Sequence, residues 1–194
     1  MKRIGITGGI GAGKSIVLDY IAGICNCRIL QADQLAWELE DIGGPCYDGL
    51  LKLLGEGILT EDGRIDRKKM GAMIFGCPDL VSAVNHIVHP VVKKEAVKEA
   101  QKAEKEGYDY FFFEAALLIE SGCDAFLDEV WYIYAPRKER LKRLMNDRGY
   151  TREKALSIMR GQLSEKEFRQ HADRVIDNSG DPERTYRQCR KWLT

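Results

Sequence analysis

The segment GITGGIGAGKS, residues 5–15, limits the possible folds of this chain more than any other stretch. It follows the short run KRIGIT (residues 2–7), which predicts a buried strand, and it leads into KSIVLDYIAGI (residues 14–24), whose apolar spacing predicts a helix. Glycines allow the backbone to turn so tightly that successive N–H groups point inward. A glycine-rich turn between a strand and a helix N-terminus therefore indicates a phosphate-binding site.

The spacing Gly8-x-x-x-x-Gly13-Lys14-Ser15 matches the P-loop pattern. In that pattern Lys14 reaches the β- and γ-phosphates of a nucleoside triphosphate, and the Ser15 hydroxyl holds Mg²⁺. The alternative is a glycine-rich turn that happens to end in Lys-Ser. Because strand, spacing and helix occur together, the sequence favours the nucleotide site.

Short apolar runs alternate with helical patterns along the rest of the chain. The predicted strands span residues 2–7, 28–33, 108–118, 129–135 and 174–178. Predicted helices span residues 14–24, 34–42, 66–75, 78–107 with an interruption at Pro90, 136–148, 151–172 and 181–193. This alternation predicts an α/β P-loop kinase fold, with a parallel sheet of about five strands flanked by helices.

Two helical segments interrupt the alternation. We expect one domain over residues 1–194, with a helical substrate-binding insertion at 34–106 and a helical lid at 148–172. Insertions after the carboxyl ends of strands commonly form substrate sites and lids.

Charge and apolar patterning exclude several classes of function. Lys plus Arg (30) equals Asp plus Glu (30), so the net charge is zero, which does not suit binding to a long nucleic acid. No apolar run approaches the length of a membrane helix, and the N-terminal run is too short for a signal peptide. The six cysteines form no paired C-x-x-C units and are interpreted as buried or incidental thiols. We expect a cytoplasmic protein without nucleic-acid or membrane partners.

The chemistry-bearing residues outside the P-loop favour a small-molecule kinase. The guanine-specifying pattern Asn-Lys-x-Asp is absent, and a basic block spans residues 136–148. Asp33, expected at the end of the second strand, would accept or orient a hydroxyl, contact Mg²⁺, or simply cap the following helix. Arg137, Arg140, Arg143 and Arg148 are either phosphate ligands or a solvated basic face, and the sequence does not separate these possibilities.

Several further stretches, taken with the P-loop, resemble the dephospho-coenzyme A kinase family. They are QADQLAWE (31–38), HP (89–90), EAALLIESG (114–122) and GQLSEKEFRQHADRVIDNSG (161–180), in which Gln162, Ala172-Asp173 and Asn178-x-Gly180 are in register with the family. These stretches span nearly the whole chain, in order and at suitable spacing. The resemblance implies transfer of the γ-phosphoryl group of ATP to the ribose 3′-hydroxyl of dephospho-coenzyme A, with Mg²⁺.

The resemblance also implies a role for individual residues. ATP would bind Gly8, Gly9, Ile10, Gly11, Ala12, Gly13, Lys14, Ser15, Ile16 and Asn178, the last of these near adenine. Lys14, Asp33, Arg140 and Arg148 would be catalytic. Asp33, His89, Glu114, Leu117 and Glu120 would contact the acceptor.

The sequence departs from the family pattern at three positions. Gln31 replaces an acid, Glu114 replaces Asp and Ala116 replaces Pro. A nucleoside or nucleotide kinase, and an ATP-binding regulatory protein without transfer chemistry, therefore stay as alternatives. His89 has the alternative role of a structural histidine before Pro90. The oligomeric state stays open.

Overall fold

A five-stranded parallel sheet forms the centre of the fold in the computed structural model, which describes residues 1–193. The strands are β1 (Lys2–Thr7), β2 (Cys27–Gln31), β3 (Tyr110–Glu114), β4 (Glu129–Tyr134) and β5 (Arg174–Asp177). Their order across the sheet is β2-β3-β1-β4-β5. The predicted fold class is confirmed.

Helices connect the strands. Within the described residues they are α1 (Lys14–Ala22), α2 (Ala32–Glu40), α3 (Tyr47–Leu54), α4 (Arg67–Ile74), α5 (Pro78–Lys105), α6 (Arg137–Arg148), α7 (Arg152–Arg160), α8 (Glu165–His171) and α9 (Pro182–Trp192). Single 3₁₀ turns lie at Glu56–Ile58 and Cys123–Phe126.

The sheet's central strands are apolar because helices cover both faces. Ile4, Ile6, Phe112, Trp131 and Ile133 are all fully buried. They belong to one core cluster with side chains of α1 and α9, among them Val17, Ile21 and Cys189. Near-continuous apolar strands of this kind are typical of parallel sheets. The core thus fixes β1 and α1, the two elements that flank the glycine-rich loop.

The chain forms two compact units. One consists of residues 1–30 and 100–193 and contains the sheet; the other is Gln31–Glu99. The second unit has its own buried apolar side chains, including Leu50, Ile58 and Val88. It holds α2, α3, α4 and most of α5, together with an antiparallel bridge between Leu59 and Ile65.

Three local expectations are wrong in detail. The helix predicted to break at Pro90 continues as α5 from Pro78 to Lys105. The helix predicted over 151–172 is two helices, since Ser164 begins α8 with a capping box to Glu167. The second strand ends at Gln31, so Asp33 lies in the first turn of α2 and not on the strand.

Within residues 1–193, no helix has the combination of length and apolar character needed to span a membrane.

Candidate active site

The glycine-rich loop lies at the carboxyl end of β1, the middle strand of the sheet. β1 pairs with β3 on one side and with β4 on the other. Along the chain, however, β1 is followed by α1 and then by β2, at the edge of the sheet. Parallel α/β sheets bind ligands in the crevice outside the carboxyl ends of such strands. The carboxyl ends of β3, β4 and β5 place Glu114, Tyr134 and Asp177 at this same edge.

Two glycines allow the loop its shape. Gly8 has φ 149°, and a Cβ there would lie 2.5 Å from the Ile133 carbonyl oxygen, so only glycine permits this approach to β4. Gly13 is the N-cap of α1 with φ 87° and no side-chain cap. The first N–H groups of α1 therefore stay available as donors to an anionic ligand. The helix dipole also favours negative charge at this end of the helix.

Lys14 folds back over the loop. Its Nζ donates to the Gly8 carbonyl at 3.0 Å and lies 3.4 Å from Oε1 of Glu114 at the end of β3. Both side chains are mostly buried, with 14% and 13% exposed. The ammonium is thus held over the loop by these two contacts. The sequence prediction that Lys14 reaches phosphate oxygens stays a prediction.

Arg140, on α6, reaches the loop from the other side. Its Nε donates to the Ile10 carbonyl at 2.8 Å, and its Nη2 donates to Oε1 of Gln162 at 2.9 Å. The same Gln162 oxygen accepts the Ile10 N–H at 2.9 Å. Burial lowers the pKa of Arg140, opposed by Tyr132 and assisted by Arg137, but arginine still carries its charge at neutral pH.

Arg143 and Asn178 contact the outer side of the loop. Arg143 Nη1 lies 3.4 Å and 3.3 Å from the carbonyl oxygens of Gly11 and Ala12. Asn178 is buried, and its Nδ2 donates to the Ala12 carbonyl at 2.8 Å. The sequence analysis left the role of Arg143 undecided, and it did not predict that Gln162 contacts the loop. The spacing of Arg140 and Arg143, one helical turn apart, was the available signal.

Asp33 lies in the Gln31–Glu99 unit, exposed in the first turn of α2. On the same helix Glu40 is buried and forms an ion pair with Arg67, whose guanidinium stacks 4.6 Å from the centre of the Trp37 ring. Burial raises the pKa of Glu40 and the charge of Asp33 raises it further, while Arg67 lowers it. Asp33 therefore interacts electrostatically with both a buried carboxylate, Glu40, and a cation, Arg67.

The remaining predicted residues are placed as follows. His89 is half-buried on α5, and burial, followed by the charge of His86, lowers its pKa, so that it is neutral at neutral pH. Beyond β3, Leu117 is 37% exposed, whereas its neighbour Leu118 is fully buried in the core. Partial burial raises the pKa of Glu120. Arg148 is exposed at the last residue of α6, just before the Gly149 cap.

A cation at this site would depend mainly on the nucleotide. Across residues 1–193 there is no group of three or more His, Cys, Asp or Glu side chains arranged to hold a metal ion. The protein does offer the exposed Ser15 hydroxyl at the first turn of α1. Mg²⁺ commonly uses few protein ligands and completes its shell with phosphate oxygens and water, so this donor set fits it.

Comparisons with known proteins agree with this geometry. The family model described as dephospho-CoA kinase matches residues 2–183. A dephospho-CoA kinase from Carboxydothermus hydrogenoformans is 39% identical, with 97% of this chain and 93% of the relative covered.

Two solved structures are similar over nearly their whole length. A crystal structure from Thermus thermophilus has a TM-score of 0.83 at 29% identity and covers 98% of this chain and 94% of its own. The dephospho-CoA kinase from Campylobacter jejuni has a TM-score of 0.72 at 25% identity and covers 98% and 95%. With the family model matched over most of the chain and the P-loop built as its pattern requires, this protein belongs to the dephospho-CoA kinase family.

Proposed function

We propose that this chain transfers the γ-phosphoryl group of ATP to the ribose 3′-hydroxyl of dephospho-CoA. The observation that carries the proposal is the P-loop itself, with Lys14 Nζ held between the Gly8 carbonyl and Glu114 at the end of the central strands. Family membership supplies the acceptor, since the relatives named above are dephospho-CoA kinases.

The loop and its lysine perform the electrostatic part of this reaction. The N–H groups of Gly11 and of residues 13–16 would bind the phosphates, and Lys14 would neutralise charge that develops on the transferring group. Arg140 lies beside the loop with its guanidinium already ordered by Ile10 and Gln162. Phosphoryl transfer has a loose transition state, so positioning and charge stabilisation provide most of the rate.

Mg²⁺ belongs to the proposal as the partner of ATP. The Ser15 hydroxyl would hold the ion. Glu114, 3.4 Å from Lys14 Nζ, would help to orient the lysine ammonium beside it. When bound, the ion would neutralise charge on the β- and γ-phosphates.

Asp33 would act on the acceptor. Its carboxylate is exposed, and its charge interacts with those of Glu40 and Arg67. Because it is accessible, this carboxylate can accept or orient the proton of a hydroxyl. His89, Glu114, Leu117 and Glu120 are proposed acceptor contacts, Asn178 a residue near adenine and Arg148 a phosphate ligand from the 148–172 lid. The 34–106 segment would bind the acceptor.

The test is an acceptor panel. Purified protein with Mg²⁺ and ATP is assayed for ADP release with dephospho-CoA, adenosine, AMP, CMP or no acceptor, and mass spectrometry locates the added phosphate. We expect turnover with dephospho-CoA and a 3′-phosphate product. Turnover only with another acceptor would mean that the departures at Glu114 and Ala116 change the acceptor specificity. ATP binding without any turnover would favour a regulatory protein.

Asp33→Asn tests the assignment of the proton acceptor. We expect a loss of kcat of about 10²-fold or more with little change in ATP affinity, since general-base contributions are of this size. Gln34→Ala is the matched control, because Gln34 is the exposed neighbour of Asp33 on α2. Unchanged turnover in Asp33→Asn would remove Asp33 from the mechanism while leaving the acceptor identity intact.

A further inference from the structure

Three consecutive carbonyl groups of the glycine-rich loop accept hydrogen bonds from side chains. The Ile10 carbonyl accepts from Arg140 Nε at 2.8 Å, and the Ala12 carbonyl accepts from Asn178 Nδ2 at 2.8 Å. Between them, Arg143 Nη1 lies 3.4 Å from the Gly11 carbonyl and 3.3 Å from that of Ala12. These three side chains are called the outer clamp below.

Holding a carbonyl determines the direction of the N–H that follows it. In a trans peptide the C=O and the N–H of the same planar unit point in opposite directions. The carbonyls of residues 10, 11 and 12 share their peptide units with the N–H groups of residues 11, 12 and 13. The Ala12 N–H is already used within the loop, because it donates to the Gly9 carbonyl at 3.0 Å. The outer clamp on the carbonyls therefore turns the N–H groups of Gly11 and Gly13 toward the opposite, inner side of the loop.

The outer clamp is itself anchored to the sheet. Arg143 Nη2 donates to the Asn178 carbonyl at 2.8 Å, and the Asn178 N–H donates to the Tyr134 carbonyl at the end of β4 at 2.7 Å. The Asn178 side chain also accepts from Thr185 Oγ1 at 3.1 Å, and Asn178 and Thr185 are both buried. Through these hydrogen bonds, β4 and α9 hold Arg143 and Asn178 in fixed positions against the loop.

Gly13 has a place in the same arrangement. A Cβ at this position would lie 2.3 Å from Asn178 Nδ2, so a side chain there would displace the amide from the loop. A loop rich in glycine has more backbone freedom than any other and loses more of it on binding phosphate. Ordering the peptides before the ligand arrives lowers that cost of binding.

We propose that Arg143 is a positioning residue that, together with the Asn178 amide on the Ala12 carbonyl, orients the Gly13 N–H toward phosphate, and that Arg143 does not itself touch the nucleotide. The inference rests on the proposed nucleotide site, but not on the identity of the acceptor. The guanidinium charge on the carbonyl side also polarises the peptides, which strengthens their N–H groups as donors.

Binding of ADP compared with adenosine tests the proposal, because only ADP presents phosphates to the loop. Arg143→Met removes the donors, Arg143→Lys keeps the charge without the two-armed fork, and Lys142→Met removes an exposed charge from the neighbouring position on α6. Calorimetry measures ADP affinity, and a nuclear magnetic resonance titration measures adenosine affinity and the amide shifts of Gly11 and Gly13.

We expect Arg143→Met to weaken ADP binding by about tenfold or more, with adenosine affinity changed by less than about threefold. Arg143→Lys should fall between Arg143→Met and wild type, and Lys142→Met should match wild type. The downfield amide shift that ADP induces at Gly13 should shrink in Arg143→Met, whereas the shift at Gly11, whose peptide carbonyl is held by Arg140, should change less.

Equal losses for ADP and adenosine, or unchanged ADP affinity in Arg143→Met, would overturn the proposal. If Arg143→Met does not fold, the ADP-to-adenosine ratio of Arg143→Lys decides in the same way. A wild-type chain that binds no ADP would overturn the nucleotide site and this inference together. A wild-type chain that binds ADP but does not phosphorylate dephospho-CoA would contradict only the proposed acceptor.

Discussion

Lys14 has structural partners in the loop and a proposed role in phosphoryl transfer. Its ammonium is mostly buried and is satisfied by the Gly8 carbonyl and by Glu114. A nucleotide would present phosphate oxygens to the same ammonium. In the proposed reaction the phosphate oxygens would replace the present partners of the ammonium, so that Lys14 would need little movement to reach them.

Replacing Lys14 should separate catalysis from folding. We expect Lys14→Met to reduce kcat/KM by about 10²-fold or more, since it removes the charge that stabilises the transferring phosphoryl group. Its urea midpoint should stay near wild type, because methionine retains the apolar stem. Steady-state kinetics and urea unfolding provide the measurements. An unfolded variant would instead identify Lys14 as a structural residue.

Glu40 should make stability depend on pH. Its pKa in the folded state is raised, mainly by burial, so the folded state binds this proton more tightly than the unfolded state does. Its contribution to stability is therefore complete below the ordinary glutamate pKa and is lost as pH rises through the raised pKa.

Urea unfolding between about pH 4 and pH 7 tests the effect of Glu40. Wild type should lose more unfolding free energy over this range than Glu40→Gln, which cannot titrate. Glu38→Gln, an exposed change on the same helix, should follow wild type. Parallel curves for wild type and Glu40→Gln would mean that Glu40 has an ordinary pKa.

At the scale of the element, α5 continues through a residue that normally breaks helices. Pro90 has no N–H to donate to the His86 carbonyl, yet the helix runs from Pro78 to Lys105. Val84, Val88, Val92 and Ala96 are buried at helical spacing on both sides of Pro90. This continuous apolar face outweighs the missing hydrogen bond, which explains why the predicted interruption is wrong.

Pro90→Ala should therefore stabilise the protein. An alanine restores the hydrogen bond to His86 and removes the steric conflict, although it also frees the unfolded chain. We expect the unfolding free energy in urea to rise by roughly 1 kcal/mol or more. Lys94→Ala, an exposed change on the same helix, should have a much smaller effect. A less stable Pro90→Ala protein would show that the proline is needed for the helix geometry.

At the scale of the whole molecule, folding protects the cysteines. Cys46, Cys123 and Cys189 are buried and the other three are partly buried, in agreement with their interpretation as buried or incidental thiols. Burial raises the pKa of Cys46 and Cys189 to about 11 and that of Cys27 to about 12, with the charge of Cys25 adding to the last. The reactive thiolate is therefore scarce at neutral pH.

Timed alkylation with iodoacetamide at pH 7.5, followed by mass spectrometry, should report this protection. Cys77, which is only partly buried, should react first, and Cys46 and Cys189 should stay unmodified until urea unfolds the chain. Equal rates for all six cysteines in the native protein would contradict the packing described for both units.

Sequence alone determined the features that depend on residues close together in the chain. The P-loop, its strand and its helix were predicted because Gly8 to Ser15 combine glycine freedom with a lysine at fixed spacing. The five strands were predicted because each is a short apolar run. The helix α3, with a glycine after its second residue and another at its end, did not show a clear pattern and was missed.

The side chains that surround the loop come from distant parts of the chain and could not be predicted from local sequence. Arg143, Gln162 and Asn178 meet residues 10–12 across separations of 131, 152 and 166 positions, and no local pattern reports a contact of that kind. The continuity of α5 likewise depends on the face that it buries. Local conformational preferences are encoded in neighbouring residues, whereas the partners of a buried donor are set by how the completed sheet and helices pack.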